Sequence, residues 1–272
     1  MLIDAHLHCT GRERTDDLLR TLDAADVDVA VLLAPFLSDG YSMHDRASLR
    51  RANEHLAELV RGHADRLVGL AVINPALPQA REDAERALDA LGLVGLKMVP
   101  SGWHPGDAHV QPVFDAVARR HAPILFHSGI FIDGRSSRYC RPADYEPVRD
   151  HAGLRVTLAH LGWPWCDEAI AVGLIDRING VAPRDCVFRF DLSFGAPPVY
   201  RAAVLRNALS VLSADLLQFG SDCFLPCPAS DLLERRRTLE RLLDDLDVGP
   251  AERARIFAGT AAEWLGLRSV PS

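Results

Sequence analysis

Short apolar segments rich in β-branched residues alternate with longer segments of helical periodicity along the whole chain. The intervening segments have the spacing of amphipathic helices, such as 15–26, for which Thr15 is the predicted N-cap, and 76–92, which ends at Gly92. Uniformly apolar strands separated by helices are typical of a parallel sheet, and eight repeats in about 250 residues predict an α/β protein with the (β/α)₈ TIM-barrel fold. The eight predicted strands are Leu2–His8, Val27–Pro35, Leu67–Asn74, Leu93–Val99, Pro123–His127, Leu154–His160, Cys186–Ser193 and Leu216–Asp222.

A doubly wound open sheet is the competing fold for such an alternation. That fold usually has a glycine-rich phosphate loop after its first strand, whereas here the first strand runs into HLHCTGRER. No Pro/Gly/Ser-rich linker or shift in composition divides the chain, and a last amphipathic segment, Ala251–Leu265, is predicted to close the barrel. The sequence therefore predicts a single domain over residues 1–272 with its site at the carboxyl ends of the strands.

The amino-acid composition and net charge exclude or disfavour several classes of protein. The 272 residues are 48% hydrophobic with a net charge of −7, which excludes a disordered chain and disfavours nucleic-acid binding. Six scattered cysteines, an N-terminus without the pattern of a secretory signal, and apolar runs too short to cross a bilayer predict a soluble cytoplasmic protein with no membrane partner. A homo-oligomer is compatible with the sequence.

Four of the eight predicted strands end in side chains that bind metals. The first strand carries His6 and His8, the fifth ends in His127, the sixth in His160 and the eighth in Asp222. Because these ends meet at one mouth of a barrel, the imidazoles and the carboxylate predict a nitrogen and oxygen site for a divalent cation. Zn²⁺ is preferred, and Mn²⁺, Fe²⁺ or Co²⁺ would also suit these ligands.

The chain has thirty basic residues, and Lys97 is the only lysine among them. Strand alternation points Lys97 into the barrel, near the predicted metal ligands. A metal repels a cation there unless the amine is neutral, is paired with an acid such as Asp222 or with an anionic substrate, or is converted by CO₂ to a carbamate. A carbamate would allow two metal ions instead of one.

Seven motifs, in this order, resemble the amidohydrolase superfamily: DAHLH, GLVGLKMVP, PILFHSG, VTLAHLGWPW, FDLS, FGSD and FAGTAAEWLGL. The similarity is greatest to the branch that holds aminocarboxymuconate semialdehyde decarboxylase, related decarboxylases and lactone hydrolases. It implies a barrel with one or two metals and assigns His6, His8, His127 and Asp222 as ligands. His160 then corresponds to the catalytic or second-metal histidine, and Lys97 to the lysine that is carbamylated in binuclear relatives.

The sequence departs from this branch at two places. Val99 and Pro100 follow the strand-four lysine, where many short relatives have His and Pro. In the last helix, Thr260 takes the place of the Asn in the Asn-Ala pair of the family. The first difference leaves the role of the fourth loop open, and the second is expected to affect helix packing.

The main functional hypothesis is a metal-dependent hydrolase of a small, anionic amide or lactone, in which metal-activated water attacks the carbonyl. The predicted catalytic residues are Asp222 as proton shuttle, His160 as oxyanion partner, and Lys97. The alternatives are a non-oxidative decarboxylase of an unsaturated or aromatic acid and a non-catalytic metal-binding barrel that serves as a scaffold. The predicted substrate-binding residues are Trp103, Arg135, Arg138 and Arg141, whereas Cys223 and Cys227 are predicted to be inert packing thiols.

Overall fold

The computed structural model of the protein describes residues 1–193 and 195–267, and in this part of the chain nine strands form one parallel sheet. Their spatial order is β8-β7-β6-β5-β4-β3-β2-β1-β9. The Ala5 amide donates to the Phe219 carbonyl at 3.0 Å, which joins β1 to the segment after β8. The sheet therefore curls into an α/β barrel. The strands are β1 (Ile3–His8), β2 (Val29–Leu33), β3 (Leu67–Val72), β4 (Gly95–Met98), β5 (Pro123–Phe126), β6 (Arg155–Leu158), β7 (Phe188–Asp191), β8 (Leu217–Gln218) and β9 (Cys223–Phe224).

Helices follow the strands in the alternation that the sequence predicts, except after β5, where the 3₁₀ segments Ser137–Tyr139 and Pro142–Asp150 replace an α-helix. Each of the first five α-helices turns a set of buried residues towards the sheet, as α2 does with Leu49, Ala52 and Leu56. The final helix contacts the amino ends of the strands, where the Trp264 indole donates to the Arg155 carbonyl at 3.1 Å. The helices are α1 (Thr15–Ala24), α2 (Arg46–Val60), α3 (Ala80–Asp89), α4 (Gln111–Ala118), α5 (Cys166–Ile178), α6 (Pro198–Leu212), α7 (Ala229–Asp245), α8 (Pro250–Ala254) and α9 (Thr260–Leu265).

The predicted eighth strand, Leu216–Asp222, is interrupted. Strand β8 covers only two residues, and the chain then bends before β9, with Asp222 in the left-handed region at a φ of 58°. Two hydrogen bonds hold the bend: the Ser221 amide donates to Asp4 at 2.9 Å and the Asp222 amide donates to the His6 carbonyl at 2.8 Å. These contacts with β1 replace the ladder of a continuous strand and place the Asp222 carboxylate at the mouth of the barrel.

Two helix predictions also need correction. The cap residue of α1 is Arg14, and Thr15 is the first helical residue, because its hydroxyl donates to the Leu59 carbonyl and does not cap the helix. The predicted closing helix Ala251–Leu265 is divided into α8, a π-helical turn at Arg255–Gly259, and α9. Within the described ranges, every helix falls short of the length and apolar character that a bilayer-spanning segment needs.

Candidate metal centre and active-site cavity

Three of the predicted metal ligands converge at the carboxyl end of β1. The Nε2 atoms of His6 and His8 lie 3.1 Å apart, and the Asp222 Oδ1 atom lies 3.4 Å from the first and 3.0 Å from the second. One ligand atom from each residue falls within 4.8 Å of the other two. A bulge between Asp4 and Leu7 interrupts the pairing of β1 with β2, and beyond it both imidazoles reach this cluster.

Asp191, at the end of β7, fixes the orientation of His6. Its Oδ2 atom accepts a hydrogen bond from His6 Nδ1 at 2.8 Å, and both side chains are fully buried. Burial raises the pKa of Asp191, but the charges of His6 and His160 and the hydrogen bond from His6 outweigh it and hold that pKa well below its usual range. An ionised carboxylate only accepts, so the proton of His6 is on Nδ1 and the Nε2 lone pair points into the cluster.

The Asp191 carboxylate also fixes the position of His160. Asp191 Oδ1 accepts from the His160 amide at 3.0 Å and from the Ser193 amide at 2.9 Å. The Ser193 hydroxyl also donates to Asp191, so Ser193 Oγ accepts from His160 Nδ1, which lies 2.8 Å away. His160 Nε2 is therefore the ring nitrogen that can exchange a proton with a substrate. A Cβ on Gly195 would lie 2.7 Å from the His160 Cβ, so only glycine allows this approach.

Lys97 lies inside the barrel, as strand alternation predicts. It is 1% exposed, and its Nζ atom is 3.3 Å from His6 Nε2. Burial lowers the pKa of Lys97 to about 8, although the charges of Asp222 and Asp191 oppose that shift. The ammonium and the carboxylates thus form one buried network around His6.

The electrostatics of the cluster favour a neutral His8 and an ionised Asp222. Burial lowers the pKa of His8 to about 4, and Asp222 offsets only part of this effect. Burial raises the pKa of Asp222, but the charges of His6 and His160 and the hydrogen bond from His8 hold it well below its usual range. Neutral imidazoles and a carboxylate are the protonation states that bind metals.

His127, the fourth predicted ligand, lies beside this cluster and not within it. Its ring is centred 5.3 Å from His160 and stacks on Phe131 at 4.3 Å. Its Nε2 atom is buried and has no hydrogen-bond partner among the described residues. A buried nitrogen without a partner is costly in a folded protein, so this orphaned atom, together with the cluster, fits a divalent cation held by His6, His8 and Asp222 with His127 nearby.

A cavity of about 300 Å³ opens onto this cluster. His8, Lys97, His127, His160 and Asp222 line its polar side. The rest of the lining is mostly apolar, half of it aromatic, and includes Phe36, Leu37, Val99, Ile130, Phe131, Ile132, Trp163 and Phe224. A pocket with mostly apolar walls and a few convergent polar groups is typical of a small-molecule site.

The structure places only one of the three predicted substrate-binding arginines in the cavity lining. Arg135 lies 4.1 Å above the Phe131 ring and pairs with Asp133 at 2.7 Å. Arg138 stacks on Tyr139, and Arg141 pairs with Glu168, because the 3₁₀ turns after Arg135 direct both side chains to the surface.

Trp103 also differs from its prediction. The side chain is fully buried in the main apolar core and does not line the cavity. An indole is large and apolar enough to be a core residue, and a sequence pattern does not separate that role from a pocket wall.

Sequence reasoning missed Asp191 and Ser193, although both lie in the FDLS segment. The signal was present, since Asp191 and Ser193 lie at the carboxyl end of the predicted strand Cys186–Ser193, as His127 and His160 do in theirs. In the sequence, an aspartate at a strand end can be a metal ligand or a residue that positions a metal ligand, and the pattern does not separate the two roles. The structure separates them, because Asp191 bonds to His6 and to the His160 amide.

Comparisons with known structures agree with the fold. The 2,6-dihydroxybenzoate decarboxylase from Rhizobium is 16% identical, with a TM-score of 0.68 and coverage of 98% of each chain. The 5-carboxyvanillate decarboxylase from Sphingomonas paucimobilis is 21% identical, with a TM-score of 0.65 over 94% of this chain and 84% of the other. A dihydroxybenzoic acid decarboxylase from Polaromonas, with bound manganese and 2-nitroresorcinol, is 16% identical, with a TM-score of 0.67 over 99% and 98%.

Comparison with curated protein sequences gives no significant match. The sequence model of the amidohydrolase family, in contrast, matches residues 3–267, which is nearly the whole chain. With this match and the barrel described above, the chain belongs to the amidohydrolase family.

Proposed function

We propose that this protein is a metal-dependent, non-oxidative decarboxylase of a small aromatic or unsaturated carboxylic acid. The observation that carries the proposal is the cavity, whose lining combines aromatic rings with His8, Asp222 and the cations Lys97 and Arg135. Flat apolar walls suit a planar substrate, and the cations suit its carboxylate. The similarity to decarboxylases of dihydroxybenzoate and carboxyvanillate supports this function over the hydrolase that leads the sequence analysis.

His6, His8 and Asp222 would hold the cation, with His127 as a further ligand, and the bound metal would orient the substrate and neutralise its charge. Mn²⁺ joins Zn²⁺ as a preferred ion because a similar decarboxylase contains manganese. Loading with one ion is the simpler state, because the charges of Asp222 and Asp191 already favour Lys97 as an ammonium over a carbamate. A carbamylated Lys97 with a second ion remains the alternative.

The reaction breaks the bond between the ring carbon and the carboxylate, leaves the electron pair on that carbon, and releases CO₂. A proton must then reach the same carbon. We assign its delivery to Asp222 and His160, which both line the cavity. Burial lowers the pKa of His160, and the charges of Asp222 and Asp191 offset part of that effect, so His160 readily gives up a proton that Nε2 takes from solvent.

The same proposal covers the type of barrel, the number of domains and the location of the protein. Counting β8 and β9 as halves of one interrupted strand, and the 3₁₀ segment Pro142–Asp150 as the helical unit after β5, makes the barrel a (β/α)₈ barrel. We further propose that residues 1–272 form one domain and that the protein acts on its small-molecule substrate in the cytoplasm. The aromatic wall, Arg135 and Lys97 would bind that substrate.

The test loads the full chain with Mn²⁺ or Zn²⁺ and offers hydroxylated aromatic acids, unsaturated acids, and matched lactones and amides in D₂O. We expect CO₂ release with one deuterium on the carbon that loses the carboxylate, measured by NMR, and no turnover by Asp222→Asn. Hydrolysis of a lactone or amide without CO₂ release would replace the proposal with the hydrolase. Absence of all turnover in fully metallated protein would favour the scaffold.

A further inference from the structure

The mouth of the active-site cavity is apolar, and three segments that are distant in sequence build it. Four large apolar side chains of the described residues both line this cavity and are exposed, by fractions between 40% and 95%: Leu37, Ile130, Ile132 and Phe224. Leu37 follows β2, Ile130 and Ile132 follow β5, and Phe224 belongs to β9. Single exposed apolar side chains are ordinary, but a group of them around a cavity marks a binding surface. We call these four side chains the apolar rim.

The lining of the cavity changes in polarity from its buried end to the apolar rim. Lys97 and His8 are 1% and 6% exposed, so the ammonium and a metal-ligating imidazole lie at the buried end. Aromatic rings lie directly against the histidines, with Phe224 stacked on His8 at 4.5 Å and Phe131 stacked on His127 at 4.3 Å. The exposed aliphatic side chains lie outside these rings. A ligand that matches this order has a charged end, a flat middle and an apolar far end.

We propose that the substrate carries an apolar substituent on the side away from its carboxylate, and that the apolar rim binds this substituent. The inference rests on the proposed function, because it takes the carboxylate and the ring to lie at the buried end of the cavity. With the carboxylate at Lys97 and the metal site, a substituent para to it points to the mouth. There it covers side chains such as Ile132, which is 95% exposed to water without it.

The size of the effect follows from the area that the substituent removes from water. Complete burial of one methylene group strengthens binding about fourfold. A chain that lies against the apolar rim on one side and faces solvent on the other keeps about half of that free energy, or about twofold for each methylene group. Affinity should therefore rise with the length of the substituent.

The experiment measures the dissociation constants of para-alkylbenzoates, from methyl to butyl, for the Mn²⁺-loaded full chain by calorimetry. The ring substituent is the only part that changes along this series, and binding is measured without turnover. The butyl compound has three more methylene groups than the methyl compound, so it should bind about eightfold more tightly.

Four variants make the test specific. Ile132→Ser should lower the ratio between the butyl and methyl compounds to about threefold or less, whereas Ile132→Leu keeps the apolar area and should keep the ratio. Leu37→Ser disrupts the apolar rim from a different loop and should act as Ile132→Ser does. Ile178→Ser is the matched control, because Ile178 is 74% exposed at the end of α5 and lies outside the cavity lining.

Equal affinities along the series, or a ratio that neither Ile132→Ser nor Leu37→Ser changes, would overturn the inference. So would a second copy of the chain on the apolar rim, seen in ultracentrifugation as a dimer that Ile132→Ser dissociates, with no dependence on the substituent. Binding that follows the length of the substituent, without CO₂ release from any acid offered, would support the apolar rim while the proposed function fails. CO₂ release with equal affinities along the series would support the proposed function and overturn this inference.

Discussion

The two walls of the cavity are built in different ways. On the β1 wall, His6 and His8 extend from a strand. Carboxylate oxygens of Asp191 and Asp222 lie 2.8–3.4 Å from the ring nitrogens of these histidines. On the β5 wall, His127 has an orphaned Nε2 and is held by a stacked phenyl ring in a loop whose Ile132 is 95% exposed. The first wall is rigid because strands and buried carboxylates build it, as a metal site requires, whereas the second is adaptable, as a substrate site allows.

The largest expected effect comes from Lys97→Arg, on the rigid side. The guanidinium is bulkier than the ammonium that lies 3.3 Å from His6 Nε2, and it neither loses its charge nor forms a carbamate. A misplacement near 1 Å in such a site costs about a hundredfold, so we expect kcat/KM to fall by at least about that factor. Turnover and metal content are measured together, with the surface exchange Arg20→Lys as the control. Near-normal turnover and metal content in Lys97→Arg would mean that the single lysine results from drift in composition and has no special role.

Asp191→Asn tests whether the carboxylates make the β1 wall rigid. The amide cannot match the charge that orients His6, and loss of such an outer partner typically lowers metal affinity about 10- to 100-fold. Mn²⁺ titration measures the change. Asp176→Asn is the matched control, because Asp176 is also buried and accepts from the Val187 amide at 2.9 Å but lies outside the cavity lining. Equal Mn²⁺ affinity in both variants would mean that Asp191 has no special role.

The same comparison explains what the sequence could predict. Alternation of apolar strands and helices predicts the barrel, and the strand ends predict that His6, His8 and Asp222 converge, because the carboxyl ends of parallel strands meet at one mouth of a barrel. The loop after β5 has no such periodicity. Three arginines in GIFIDGRSSRYCRP are equivalent in sequence, and only the local turns separate Arg135 from Arg138 and Arg141. The break between β8 and β9 depends on hydrogen bonds to Asp4 and His6, which are distant in sequence.

Arg135→Gln tests the adaptable wall. If Arg135 binds the substrate carboxylate, its loss should raise KM about tenfold and change kcat little, because the guanidinium acts on binding and not on the metal ligands. Steady-state kinetics separate the two constants. Arg138→Gln is the control from the same loop, and its exposed side chain should leave both constants unchanged. A similar rise in KM for both variants would indicate a general effect of loop charge.

The smallest effect concerns the loop after β1, which Glu13 holds in place. Its carboxylate accepts from the Thr10 amide at 2.5 Å and from the Gly11 amide at 3.0 Å, and lies 3.2 Å from His55 Nε2 of α2. Burial raises the pKa of Glu13, but the hydrogen bonds from His55 and Thr10 outweigh it and lower that pKa overall. The ionised group therefore stabilises the fold fully above the ordinary glutamate pKa, and this contribution is lost as the pH falls through the lowered folded-state value.

We expect Glu13→Gln to reduce the free energy of unfolding by about 1–2 kcal/mol at pH 7, measured by urea denaturation. The difference from wild type should shrink at an acid pH below the lowered pKa of Glu13, because both proteins then carry a neutral side chain at this position. Glu54→Gln, which alters an exposed pair with Arg86, should change the free energy of unfolding by less than about 0.5 kcal/mol at either pH. A difference between Glu13→Gln and wild type that is the same at both pH values would show that shape and not charge holds this loop. In that case the strand and the carboxylates at its end would make the β1 wall rigid, and the charge of Glu13 in the following loop would not contribute.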